Sequence, residues 1–66
     1  MIKLIGKIYK KIDNNHGYII AEDEKIYLFS SLDIIDDTII EEGINVEFKP
    51  KEDIVLRATY ISKYEE

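Results

Sequence analysis

Two short stretches of this chain set ring-bearing side chains at alternate positions: His16 and Tyr18 in the first, Tyr27 and Phe29 in the second. Alternate residues of a strand share one face. Two neighbouring strands of this kind would gather four flat rings on one surface. Lys3, Lys7, Lys10 and Lys11 precede them, with Tyr9 among the lysines. Rings offer stacking faces and ammonium groups offer positive charge, so the chemistry within reach is non-covalent recognition of something flat and anionic. Covalent chemistry has little to work with. There is no cysteine, and the lone histidine, His16, has no second imidazole or thiol to complete a metal set. The acidic runs Glu22-Asp23-Glu24, Asp36-Asp37 and Glu41-Glu42 lack the alternating Asp/Asn and closing Glu of a calcium loop. No nucleophile–base set or phosphate-cradling glycine loop accompanies them. They read as turn and solvation charges, and no enzyme, cofactor or metal is expected.

Rings interleaved with cations are the means by which single strands of RNA or DNA are held, each exposed base covering a ring. The residues expected on such a surface are Lys7, Tyr9, Lys10, Lys11, His16, Tyr18, Tyr27 and Phe29. Ile19, Ile26 and Leu28 then take the inward positions. Phe29 is the residue most sensitive to register, because a slip of one position sends it from the face into the core. Arg57, on the last strand, is a weaker candidate for the sugar–phosphate chain. Each of these residues also has a plain structural role open to it. Tyr18 and Tyr27 can be core residues with their hydroxyls reaching water, His16 a surface turn residue, and the lysines guards of an edge strand.

The net charge of −5 argues against a protein that coats nucleic acid indiscriminately through phosphates. Its distribution softens that objection. Residues 1–20 hold four lysines against Asp13 alone, a net +3, whereas residues 21–66 sum to −8. The local field decides where a polyanion lands.

The elements that must position these groups follow from the pattern. Fourteen isoleucines and two valines stand against four leucines and two alanines, and β-branched residues favour strands. Residues 2–12 read as a long first strand ending in the turn Asp13-Asn14-Asn15. Residues 16–21 and 25–30 form a hairpin around the acidic turn 22–24. Residues 31–42 have room for one short helix or 3₁₀ turn. Gly43 is available for a positive φ in the next turn. Ile44, Val46 and Phe48 then alternate with polar residues in a half-buried strand that Pro50 stops. Residues 54–61 make the last strand, and residues 62–66 a frayed tail. Five strands with a break after the third fit an all-β, five-stranded antiparallel barrel of the OB type, whose second and third strands carry the ligand face. Residues 1–66 are expected to form one such domain, with a core over about 2–61.

The order of residues resembles the cold-shock domain family over nearly the whole chain. Gly6-Lys7-Ile8 resembles the Gly-Lys-Val that opens the family's first strand. His16-Gly17-Tyr18-Ile19 resembles its first ribonucleoprotein motif, Phe-Gly-Phe-Ile. Ile26-Tyr27-Leu28-Phe29 resembles the second, Val-Phe-Val-His, which sets Tyr27 on the phenylalanine and Phe29 on the histidine. Glu41-Glu42-Gly43-Ile44-Asn45-Val46-Glu47-Phe48 follows Glu-Glu-Gly-x-x-Val-x-Phe, and Ala58 and Ile61 fit the Ala-x-x-Val ending. The departures are specific. Lys10-Lys11 stand where the family has Trp-Phe, Asn14-Asn15 where it has Lys-Gly, and the phenylalanine after the second motif is missing. Residues 26–32 are also similar to the third strand of S1 domains, another RNA-binding OB barrel.

The resemblance implies a non-enzymatic binder of single-stranded RNA or DNA of the RNA-chaperone type. The alternative is an acidic OB module that binds a protein partner, favoured by the missing tryptophan and the isoleucine pairs of residues 34–40. A monomer is expected, with a dimer as the other arrangement. No apolar run approaches a membrane span, residues 1–6 lack a signal peptide's apolar stretch, and the cysteine-free chain suits the cytoplasm.

Overall fold

Gly6 and Ile8 are buried while Lys7 and Tyr9 are exposed, which gives the first strand a dry face and a wet one. Four more strands repeat that division. In the computed structural model, which describes residues 2–65, they run β1 (Leu4–Lys11), β2 (His16–Ala21), β3 (Ile26–Ser30), β4 (Asn45–Glu52) and β5 (Leu56–Lys63). A single 3₁₀ turn, Ser31–Asp33, follows β3, and the described residues contain no α-helix. Met1 and Glu66, the ends of the tract assigned to the domain from sequence, lie outside the described residues.

The strands close into a barrel in the order β1-β2-β3-β5-β4, with β4 returning to β1. Pairing is antiparallel except between β3 and β5, which meet in parallel at Leu28 and Arg57. This is the OB-type architecture. Ile8, Ile19, Phe29, Val46, Phe48, Ala58 and Ile61 fill the interior at no more than 1% exposure, with Ala21, Tyr27 and Ile40 beside them. Ile40 carries the long β3–β4 connection into the core, and a bridge from Ile34 to Ile61 ties its other end to β5. Gly43 takes φ +93° in the turn before β4.

β1 is shorter than the expected 2–12, and β3 and β4 each start one residue later than expected. Three further boundaries differ from the sequence expectation, each for a local reason. Pro50 does not stop β4, which continues to Glu52. Only Leu4 to Lys7 of β1 pair with β4, and they face Asn45 to Phe48, so Pro50 sits where β4 has β5 on one side alone. A proline, lacking an N–H, is tolerated on such a free side. Residues 62 and 63 are not frayed. Ser62 and Lys63 pair with Glu47 and Val46, and the Tyr64 N–H donates to the Asn45 carbonyl at 2.9 Å. Finally, β5 begins at Leu56, because residues 53–55 make a turn closed by the Asp53 N–H on the Val55 carbonyl.

Candidate nucleic-acid interface

The outer face of β1, β2 and β3 is built by register. β1 pairs with β2 through Lys7↔Ile20 and Ile8↔Ile19, then shifts by one residue so that Lys10 faces Tyr18. The shift leaves Tyr9 in a bulge, 56% exposed; bulges re-aim side chains in this way. β2 pairs with β3 through Tyr18↔Leu28 and His16↔Ser30, and β3 reaches β5 through Leu28↔Arg57. Lys10, Tyr18, Leu28 and Arg57 therefore form one lateral row across four strands. A ring and an aliphatic side chain stand at its centre, with a cation at each end.

Six of the eight residues expected on this face lie at the surface. Lys7, Tyr9, Lys10, Lys11 and His16 are exposed, and Tyr18 is half-buried among its neighbours. Among the described residues no carboxylate lies within ion-pair distance of the ammonium groups of Lys7, Lys10 or Lys11, although Glu42 accepts from the Lys11 backbone N–H at 3.3 Å. His16 is held by its turn, with Nδ1 3.0 Å from Asp13 Oδ1. The Asn15 N–H, 2.7 Å from the same oxygen, and then the His16 ring hold the Asp13 carboxyl below its usual range.

Tyr27 and Phe29 are the exceptions and correct the sequence reading. Both point inward, at 4% and 0% exposure, and neither can stack on a base while the barrel is folded. β2 and β3 meet with Ile19 opposite Tyr27 and Gly17 opposite Phe29, which puts both rings on the inner side of the sheet. The Tyr27 ring packs 5.0 Å from that of Phe48, and its hydroxyl donates to Asp23 Oδ2 at 2.7 Å. Burial, then the Asp23 bond, then the charges of Asp23 and Glu52 push the Tyr27 hydroxyl up to about 12. Phe29 rests against Gly17, where a Cβ would come within 2.9 Å of the ring.

The outward positions of β3 belong instead to Ile26, Leu28 and Ser30, and with Ile20 they give the face an aliphatic flank. A signal for this existed. Sliding the second motif by one residue puts Phe29 on the phenylalanine that the family has after that motif and leaves Ile26 and Leu28 on its ring positions. Only two of the four rings expected to gather, His16 and Tyr18, share the outer face.

The arrangement can stack a base on Tyr18, flank it with the imidazole of His16, and set ammonium groups of β1 along a phosphate chain. Among the described residues, no three His, Asp or Glu side chains gather closely enough to hold a metal ion.

No protein-family model matches the chain, and no curated protein matches it in sequence. Solved structures match it in three dimensions. A chain described as Drosophila Unr CSD456 superposes with a TM-score of 0.83 at 20% identity, covering 97% of this chain. This chain spans 27% of that one. The fold is thus that of a cold-shock domain, a small closed β-barrel of the OB type.

Proposed function

We propose that this chain binds single-stranded nucleic acid, RNA or DNA, without catalysing a reaction. The observation that carries the reading is the row Lys10–Tyr18–Leu28–Arg57, a ring flanked by cations across the ligand face of an OB barrel. Bases stack on Tyr18 and His16, while Lys7, Lys10 and Lys11 pair with phosphates and Tyr9 extends the surface from its bulge. The similarity to a cold-shock domain structure supports the same class of ligand. With fewer rings than the sequence implied, stacking contributes less, each stacked base being worth about 1–3 kcal/mol. A binder of open strands draws hairpins toward the unpaired state by mass action, which is the physical content of RNA-chaperone action.

The test is a ¹H–¹⁵N NMR titration with a short single-stranded oligo-pyrimidine at low salt, repeated at higher salt. Shifts centred on residues 7–11 and 16–18, weakening with salt, support the reading. A flat titration across oligo-pyrimidine and mixed RNA overturns it. The second reading, a protein-binding module, draws on one observation: Ile20 and Ile26 stay exposed at 37% and 47% where rings would serve a base better. It becomes the leading reading if the titration is flat.

A further inference from the structure

Tyr60 belongs neither to the face just described nor to the core. It is 58% exposed, yet its φ is +50°, a left-handed conformation that is a genuine outlier for a bulky side chain. The register explains how it arises. β4 pairs with β5 through Lys49↔Thr59 and then Glu47↔Ser62, so Phe48 alone opposes both Tyr60 and Ile61. A glycine would sit in that bulge without strain. The bulge instead holds a ring out of the sheet. Strained residues kept in such places cluster at functional sites.

What surrounds the ring indicates what it would meet. Tyr60 lines an open groove of about 590 Å³ with Leu32, Ile35, Lys49 and Lys51, within the usual size of small-ligand sites, about 300–1,000 Å³. Lys49 Nζ lies 5.8 Å from the ring centre, at the outer limit of a cation–π contact, so the ammonium is loosely held. Lys51 faces Arg57 across β4–β5, and Arg57 faces Leu28 across β3–β5. The row Lys10–Tyr18–Leu28–Arg57 therefore extends to Lys51 on β4. Arg57 also reaches Asp33 of the groove wall at 3.8 Å. That carboxylate offsets part of the Arg57 charge, whereas Lys49 and Lys51 have no carboxylate at ion-pair distance among the described residues. An exposed ring with two such lysines beside it, continuous with the first face through Arg57, is the composition of a single-strand track.

We propose that Tyr60, Lys49 and Lys51 form a second subsite for the same single strand, which crosses from Tyr18 over Arg57 and stacks a further base on Tyr60. The subsite rests on the reading of the Lys10–Tyr18 face as the first contact. Its ligand is the continuation of that strand, with phosphates on Lys49 and Lys51.

The experiment compares oligo-pyrimidines of about four and about ten nucleotides, lengths within the range of OB site sizes, by fluorescence anisotropy. Tyr60→Gly removes the ring and relieves the backbone, and a thermal melt checks that the barrel persists. Tyr60→Gly is expected to bind the short oligomer as wild type does and the long one at least about fivefold more weakly, the lower end for one stacked base. Lys49→Gln with Lys51→Gln is expected to flatten the salt dependence of the long oligomer by about 1.4, at about 0.7 per single-strand phosphate. A Tyr60→Gly protein that binds both lengths as wild type does, or loses equally on both, overturns the subsite and leaves the first face standing. If wild type binds neither oligomer, the first face is wrong and the subsite falls with it.

Discussion

Gly17 faces Phe29 across the β2–β3 ladder with no room for a side chain: a Cβ there would lie 2.9 Å from the ring and 2.8 Å from the Lys10 carbonyl. The glycine lets the ring close the barrel interior, and the ring in turn holds β3 in the register that turns Leu28 outward. Core packing and the composition of the outer face are two consequences of one contact.

Gly17→Ala therefore meets one neighbour that is backbone and another that is fully buried. It is expected to lower stability by about 1–3 kcal/mol, as overpacking does. Urea denaturation reads this as a lower midpoint with an unchanged slope. A midpoint equal to wild type would contradict the register described for β2 and β3.

Tyr18→Ala and Tyr27→Ala separate face from core. The first is expected to keep the fold and weaken oligo-pyrimidine binding by about 1–3 kcal/mol, the worth of one stacked base. The second removes a buried ring, a change that costs about 3–5 kcal/mol for a large core aromatic, out of a total of about 5–15. Circular dichroism and anisotropy on both variants decide the matter. Loss of binding by a well-folded Tyr27→Ala would return that ring to the surface.

The Tyr27–Asp23 pair predicts alkaline behaviour. The Tyr27 hydroxyl is raised from 10.0 to about 12 by burial, the Asp23 bond and nearby carboxylates. A group raised on folding contributes stability that is complete below its unfolded value and disappears as pH climbs through the folded one. Stability is thus expected to fall between about pH 10 and 12, and Tyr27→Phe to remove that part of the fall. On the acid side burial raises Asp23, but the Tyr27 and Lys25 bonds outweigh it and leave the carboxyl lowered. Its share of stability disappears as pH drops below the ordinary carboxylate range. Identical alkaline profiles for wild type and Tyr27→Phe would refute the assignment.

Lys10 sits beside Tyr18 in register, and no carboxylate among the described residues offsets it. Lys10→Gln is expected to weaken binding at low salt and to flatten the salt dependence by about 0.7 for the one phosphate it no longer neutralises. Titrations at several salt concentrations measure that slope directly. A slope unchanged from wild type would mean that the strand runs elsewhere.

Asp13 brings a negative charge to the edge of the face, 3.0 Å from the His16 ring. Asp13→Asn keeps an oxygen for the Asn15 N–H while removing the charge. Binding is expected to tighten, because a charge that repels the phosphates is gone. Weaker binding by Asp13→Asn would show that the carboxylate is needed to orient the histidine.

How much of this was legible in the residues depends on how each was placed. Strand β2 could be read directly, because Gly17 and Ile19 alternate with His16 and Tyr18 and only one assignment puts the glycine inside. Strand β3 could not. Ile26, Tyr27, Leu28 and Phe29 are all large and apolar, so period-two alternation gives no preference between the two registers. Pro50 and the tail were misread for a related reason: whether a strand continues depends on which neighbours it has, and those come from distant parts of the chain.

The sequence by itself determined the all-β class, the break after the third strand, the turn at Gly43 and the basic first strand beside Tyr18. Those are local matters of propensity, turn chemistry and charge. The tertiary structure decided which rings face water. It took Tyr27 and Phe29 inside, put Ile26 and Leu28 out, and brought Arg57 and Lys51 into line with Lys10 and Tyr18. The reason is closure: a strand of uniformly apolar residues has no face of its own until the barrel packs one side of it against Gly17, Ile19 and Phe48.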